Sequence, residues 1–154
     1  MATIQGYYLS KIRYDKNFQK RVDKYLSRES WSSHEWSHYQ EKKLDKLLKE
    51  ARKYVPFYND YWSSKKDSFL HLDNWPIISK AIIMKNPLSF IDDRYKNNRL
   101  YKDHTSGTTG TPLEIYLDYD SVREQYAFFH ARVKFKYGIK FNDKWAIIGS
   151  QRVT

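Results

Sequence analysis

A chain of 154 residues with 40% hydrophobic and 18% aromatic content has the apolar surface for a core, which excludes wholesale disorder. The absence of cysteine excludes disulfides and cysteine-ligated metals. A net charge of +10, from 28 basic and 18 acidic residues, suits anionic ligands, but no block of five or more like charges marks a nucleic-acid tail. No apolar run approaches the roughly 20 residues of a bilayer span, and residues 1–10 carry no secretory signal, so a soluble cytoplasmic protein is expected.

Residues 1–30 are rich in tyrosine and charge, and Ile12, Val22, Tyr25 and Leu26 can line one or two short helices. The next segment is more regular. Trp36, Gln40, Leu44, Leu47, Leu48, Ala51 and Tyr54 recur at three and four, the spacing of one helix face. Ser32 with Glu35 predicts a capping box for that helix. Pro56 ends it by pushing Val55 out of helical geometry, and residues 57–62 form one more turn. Residues 63–75 read as a loop; Ser79 caps a short helix through Met84, which Asn86 and Pro87 close.

From residue 99 the pattern turns to strands. Residues 99–104 predict a short strand, and residues 112–118 alternate, with Leu113, Ile115 and Leu117 on one face. A helix follows from Asp120 or Ser121, where Ser121 and Glu124 fit a second capping box. Its apolar face is drawn by Tyr126, Phe129, His130 or Val133, and Tyr137, and Gly138 stands where a left-handed C-terminal cap belongs. Residues 145–149 read as a buried strand. The order strand, loop, strand, helix, strand predicts an α/β layer architecture with an incomplete sheet. The division expected is an N-terminal extension over 1–28, a mainly helical region over 29–98 and the start of an α/β nucleotide-binding domain over 99–154.

The chemistry lies between the two predicted strands, in Thr105, Ser106, Gly107, Thr108, Thr109, Gly110 and Thr111. Two of the chain's five glycines fall here, among five hydroxyl residues in seven. Glycine lets successive amides turn toward one point and so form an anion-binding nest. Hydroxyls add donors without bulk. This is not a Walker-type P-loop, because no lysine follows the second glycine and no helix starts there, nor is it a dinucleotide-binding G-x-G-x-x-G. A strand on either side puts the loop at the end of a hairpin.

The octet T-S-G-T-T-G-T-P over residues 105–112 resembles the phosphate-binding signature of the adenylate-forming superfamily. Within it, the chain looks most like phenylacetate–coenzyme A ligase and the capsular polysaccharide biosynthesis proteins related to it. Val55-Pro56-Phe57-Tyr58 at the end of the long helix, and Trp75-Pro76-Ile77-Ile78-Ser79-Lys80, are similar to two further segments of that family. The stretch from Tyr116 to Arg132 continues as the family does after the loop. The resemblance spans about residues 29–150, and the first 28 residues contribute nothing to it.

It implies the N-terminal part of an AMP-forming acid–thiol ligase. A carboxylate attacks the α-phosphate of ATP with magnesium present, pyrophosphate leaves, and a thiol, often coenzyme A, takes the acyl group. It also implies that the catalytic lysine, the adenine and ribose contacts and the magnesium-associated acid lie beyond Thr154. This chain alone is then expected to be inactive unless a longer polypeptide or a partner chain supplies the rest. Two departures stand out: Leu113 replaces the lysine that many members carry after the proline, and Thr111 stands where the phenylacetate-activating branch often has a basic residue.

Other constellations carry less. His34-Glu35-Trp36-Ser37-His38 matches H-E-x-x-H, but its flanks are polar and Glu35 is better used in the capping box, so no metal site is expected. His104 either borders the phosphates or only ends its strand. Tyr126, Phe128 and Phe129 either line an acyl or aryl pocket or belong to the core. The rival function is a basic module for RNA or another anionic polymer, in which the tyrosines and lysines of residues 7–25 stack on bases.

Overall fold

The computed structural model describes residues 4–96, 99–105, 112–141 and 143–144. These are mostly helical, with one two-stranded antiparallel sheet. The strand expected over residues 145–149 lies outside the described residues. The chain divides into two compact units, one formed by Met1–Ser30 with Leu117–Thr154 and the other by Trp31–Tyr116.

The unit formed by Trp31–Tyr116 opens on the long helix. In chain order, helices α1 (Ile4–Arg13) and α2 (Phe18–Leu26) precede it, so it is α3 (Ser33–Tyr54). The expected capping box is present: Ser32 Oγ accepts from the Glu35 amide at 3.3 Å, and Glu35 Oε2 accepts from the Ser32 amide at 2.7 Å. Pro56 opens α4 (Pro56–Ser63), because a missing N–H costs nothing in a first turn. Of the predicted α3 face, Leu48 is buried and Trp36, Ala51 and Tyr54 are half-buried, whereas Gln40, Leu44 and Leu47 are exposed. Length explains the difference. Twenty-two residues of helix run about 33 Å and the eight of α4 only about 12 Å, so α4 covers one end of the stripe.

What holds this unit together is aromatic. Trp62 is 3% exposed, with its ring centroid 5.6 Å from that of Trp75. Tyr58 meets Trp75 edge-on at 4.9 Å, and Phe57 stacks on Phe90 at 4.3 Å. The Trp75 indole N–H donates to the Phe69 carbonyl at 2.8 Å, which anchors the loop read over residues 63–75. Thus Phe57-Tyr58 and Trp75, from two segments far apart in sequence, share one cluster. Each ring pair adds about 0.5–1.5 kcal/mol beyond its buried area. A short helix α5 (Lys80–Lys85) follows. Ser79 occupies its N-cap position in extended geometry, but its side chain makes no capping hydrogen bond.

The other unit packs α1 and α2 against α6 (Tyr119–Phe129). Its core is Phe18, Val22, Ala127 and Ala131, with Tyr14, Tyr25, Tyr126 and Phe135 packed around it. Ile12 and Val122 are also buried. Complete burial of a side chain such as Val22 contributes roughly 1.5–3 kcal/mol. Of the four residues expected to line the first helices, Ile12 and Val22 are buried and Tyr25 half-buried, while Leu26 is 36% exposed.

Helix α6 corrects two expectations. Its N-cap is Asp118, whose carboxylate accepts from the Ser121 amide at 3.0 Å. Glu124 is therefore not a capping residue, and it reaches across to α2 instead. Its carboxylate accepts from Arg21 at 2.7 Å, Lys24 at 3.2 Å and the Tyr25 hydroxyl at 2.5 Å. The second correction lies at the far end, where the helix widens into a π turn (His130–Lys134) and then a 3-10 turn (Phe135–Tyr137). A π turn inserts one residue and so rotates every later residue about the helix axis. His130, Ala131 and Lys134 continue the buried side that begins at Ala127, at spacings of three and four, while Val133 is 41% and Tyr137, beyond the turn, 76% exposed. Gly138, with φ of 76°, closes the element in the left-handed conformation that its position predicts.

Candidate functional site

The predicted strands form a hairpin of β1 (Tyr101–His104) and β2 (Glu114–Leu117). Thr105 and Leu113 clasp its end twice. The Thr105 amide donates to the Leu113 carbonyl at 3.0 Å, and the Leu113 amide donates to Thr105 Oγ1 at 3.1 Å. Residues 106–111, which include Ser106, Gly107, Thr108, Thr109, Gly110 and Thr111, lie outside the described residues. Thr105 is exposed. Because its oxygen acts as an acceptor toward Leu113, its own O–H proton is still available to donate. This hydroxyl thus has a structural job that loop composition did not reveal; an eight-residue separation between amide and side chain is not a local pattern.

The solvent face of the hairpin is wired across the strands. Lys102 Nζ lies 3.5 Å from Glu114 Oε1, and the Tyr116 hydroxyl donates to Glu114 Oε2 at 2.5 Å. That hydrogen bond, with Lys102 behind it, holds the Glu114 carboxyl below its ordinary value; the same bond raises Tyr116, and the nearby Glu114 charge raises Lys102. On the other face Leu113 and Leu117 are half-buried, but Ile115 is 37% exposed, since the described sheet has no third strand to cover it. His104 is the exposed last residue of β1, and its amide donates to the Asp103 carboxylate at 2.8 Å.

The remaining sequence candidates fall elsewhere. His34 and His38 sit exposed in the first turns of α3, and Glu35 is occupied by Ser32, whose backbone and side-chain hydrogen bonds hold its carboxyl low. Among the described residues no group of three or more His, Asp or Glu is arranged to hold a metal ion. Tyr126 packs on the core with the Arg13 guanidinium 4.5 Å from its ring centre, and Phe128 is 50% exposed with its edge on Tyr25. A shallow hollow of about 320 Å³ lies beyond them, lined by Phe135, Gly138, Ile139, Lys140 and Phe141. No family model, curated protein or solved structure matches the chain. No helix among the described residues is long and apolar enough to cross a membrane.

One further pair of side chains stands out, of which the sequence offers His130 only as an option for the apolar face of α6 and gives neither a chemical role. His130 is 1% exposed and Lys134 2%. Burial, aided by the Lys134 charge, pushes the His130 imidazole down to about 4, and burial lowers Lys134 as well. The available signal was that His130 falls on the apolar stripe of α6, between two alanines small enough to admit a ring.

Proposed function

We propose that residues 105–111 hold the phosphates of ATP for an adenylate-forming reaction of the phenylacetate–coenzyme A ligase kind, the branch that includes capsular polysaccharide biosynthesis proteins. The observation that carries the reading is the double clasp between Thr105 and Leu113, at 3.0 and 3.1 Å. It pins both ends of a segment, residues 106–112, made of serine, threonine, glycine and one proline. An anion site needs its donors held before the ligand arrives, because catalysis gains only from dipoles that do not reorganise as charge develops. Pyrophosphate is the group on which that charge collects.

The donor chemistry fits an anion, since residues 105–111 contain no carboxylate. To magnesium it offers hydroxyl oxygens but no carboxylate. Of the nearest acids in the hairpin, Asp103 accepts from the His104 amide and Glu114 from Tyr116. Magnesium would be held by phosphate oxygens and water rather than by these residues. Coenzyme A as acceptor and a small carboxylate as substrate rest on the family resemblance. Of the tyrosines that a base-stacking surface over residues 7–25 would use, Tyr14 and Tyr25 pack against a core and Tyr7 and Tyr8 are exposed.

Calorimetry with magnesium pyrophosphate, run beside filter binding with RNA, tests the proposal. Saturable heat is expected from pyrophosphate and little retention of RNA. In Gly110→Val, a Cβ obstructs the anion's approach and the heat should fall at least tenfold while the far-UV spectrum is kept. Tight RNA binding with no pyrophosphate heat would replace this reading with that of an anionic-polymer module.

A further inference from the structure

We propose that the unit built from residues 1–30 and 117–154 is an acid-sensitive latch, in which proton uptake by the His130 imidazole loosens α1 and α2 from α6. The imidazole sits in an aromatic box. Ring centroids of Tyr14, Phe18, Phe135 and Phe141 lie 5.6, 5.1, 5.9 and 5.3 Å from its own. Tyr14 comes from the α1–α2 connection and Phe18 opens α2, so the ring is the wedge between those helices and the π turn after α6. Nε2 lies 3.4 Å from the Tyr14 hydroxyl, and Nδ1 is buried with no hydrogen-bond partner among the described residues.

A neutral ring suits this box better, because it brings no charge into it, needs only one N–H and shares the Tyr14 hydroxyl through Nε2. A protonated ring does not, because both nitrogens then carry hydrogen and no carboxylate among the described residues faces them. The groups around it are Tyr14 from the connection, Phe18 from α2, Phe129 from α6, Phe135 and Phe141 from the segment beyond, and Lys134, a second buried base, from its own turn. Every described carboxylate of the unit bonds elsewhere. Asp15, Asp120 and Glu124 serve Arg21, and the first two also Arg123. Asp23 accepts from Gln19, Glu29 pairs with Arg132, Asp118 caps α6, and Asp143 accepts from the Lys140 amide.

The sign comes from linkage. The folded state binds this proton less readily than the unfolded chain does, so the stability involved is complete above pH 6.5, the ordinary histidine value, and lost as pH falls toward about 4. Opening of the unit should then rise by up to roughly 10²-fold over that window.

Amide exchange at Val22 and Ala127 between pH 7.5 and 4.5, corrected for intrinsic rates, reads the latch in the whole chain. Protection in the wild type should fall nearly tenfold per pH unit below 6.5, and in His130→Phe it should lose that slope. Equal slopes in the two proteins overturn the proposal. If His130→Phe does not fold, the wild-type His130 ring decides by NMR. A ring that protonates near pH 6.5 while Val22 and Ala127 stay protected refutes the latch; one that stays neutral until they open supports it.

Discussion

Glu124 holds one end of α6 to α2, and its removal has a predictable cost. Its carboxylate takes three donors, Tyr25 at 2.5 Å, Arg21 at 2.7 Å and Lys24 at 3.2 Å. Exposure ranks them. The Arg21 side chain is 16% exposed and that of Lys24 44%, so the lysine is screened by water and adds little. A hydrogen bond to a charged group contributes about 1.5–3 kcal/mol when shielded and an exposed ion pair about 0.2–1 kcal/mol. The Glu124 side chain is 30% exposed, which puts the arginine contact between those limits. Glu124→Gln keeps the shape and one acceptor but turns an N–H₂ toward Arg21 or Lys24, so we expect a loss of about 2 kcal/mol. Urea unfolding at pH 7, followed by far-UV circular dichroism, measures it. Combining it with Arg21→Met in a double-mutant cycle should give a coupling of about 1 kcal/mol. A coupling below about 0.3 kcal/mol would refute the reasoning and make the contact a surface decoration. Partial burial opposes ionisation of Glu124, but the hydrogen bonds from Tyr25, Arg21 and Lys24 outweigh it and hold its carboxyl low. Its contribution is therefore complete above about pH 4.5 and is lost as pH falls through the folded value, a window below that of His130.

Gly138→Ala should cost about 1 kcal/mol from its φ of 76° alone, because an added Cβ meets nothing within 4 Å; Gly138→Asn should cost less, and a larger loss on urea unfolding would mean a contact has been overlooked. Thr105→Val keeps the shape of the hairpin end but removes the acceptor for the Leu113 amide. That amide should exchange at least fivefold faster, with Thr105→Ser restoring the wild-type rate. Ser32→Ala removes the hydroxyl bond to the Glu35 carboxylate but keeps the one from the residue 32 amide, so the NMR titration midpoint of Glu35 should rise only part of the way to its ordinary value; the part of the stability difference from wild type that comes from this bond should be present above pH 4.5 and shrink as pH falls.

Local features of the fold were legible in the sequence. The capping box of Ser32 and Glu35, the break at Pro56, the left-handed Gly138 and the hairpin flanking residues 105–111 each depend on residues close in the chain. What failed depends on partners far away. Ser121 and Glu124 satisfy the spacing of a capping box, yet Asp118 takes the cap because Glu124 gains more from a buried-side contact with an arginine 103 residues earlier. Of the two residues the α6 spacing allows at one position of its apolar face, His130 is buried and Val133 exposed, while Tyr137 is exposed because a π turn and a 3-10 turn interrupt the regular helix before it. Of the candidate site, the hydroxyl and glycine composition was visible from the start, whereas the twin bond between Thr105 and Leu113 needed the strands to be paired first.

The division of the chain also bears on how it is made. One unit is assembled from both of its stretches, Met1–Ser30 and Leu117–Thr154, while the other is continuous between them. On a ribosome adding about 5–20 residues per second, the partners of Arg21 and Tyr25 on α6 emerge roughly 5–20 s after them. During that interval Phe18 and Val22 have no Ala127 or Ala131 to cover them, and Trp31–Tyr116 can complete its aromatic cluster first. The continuous unit can therefore fold before the second stretch of the other has been made, and newly made chains are most exposed to aggregation and to proteases through α1 and α2.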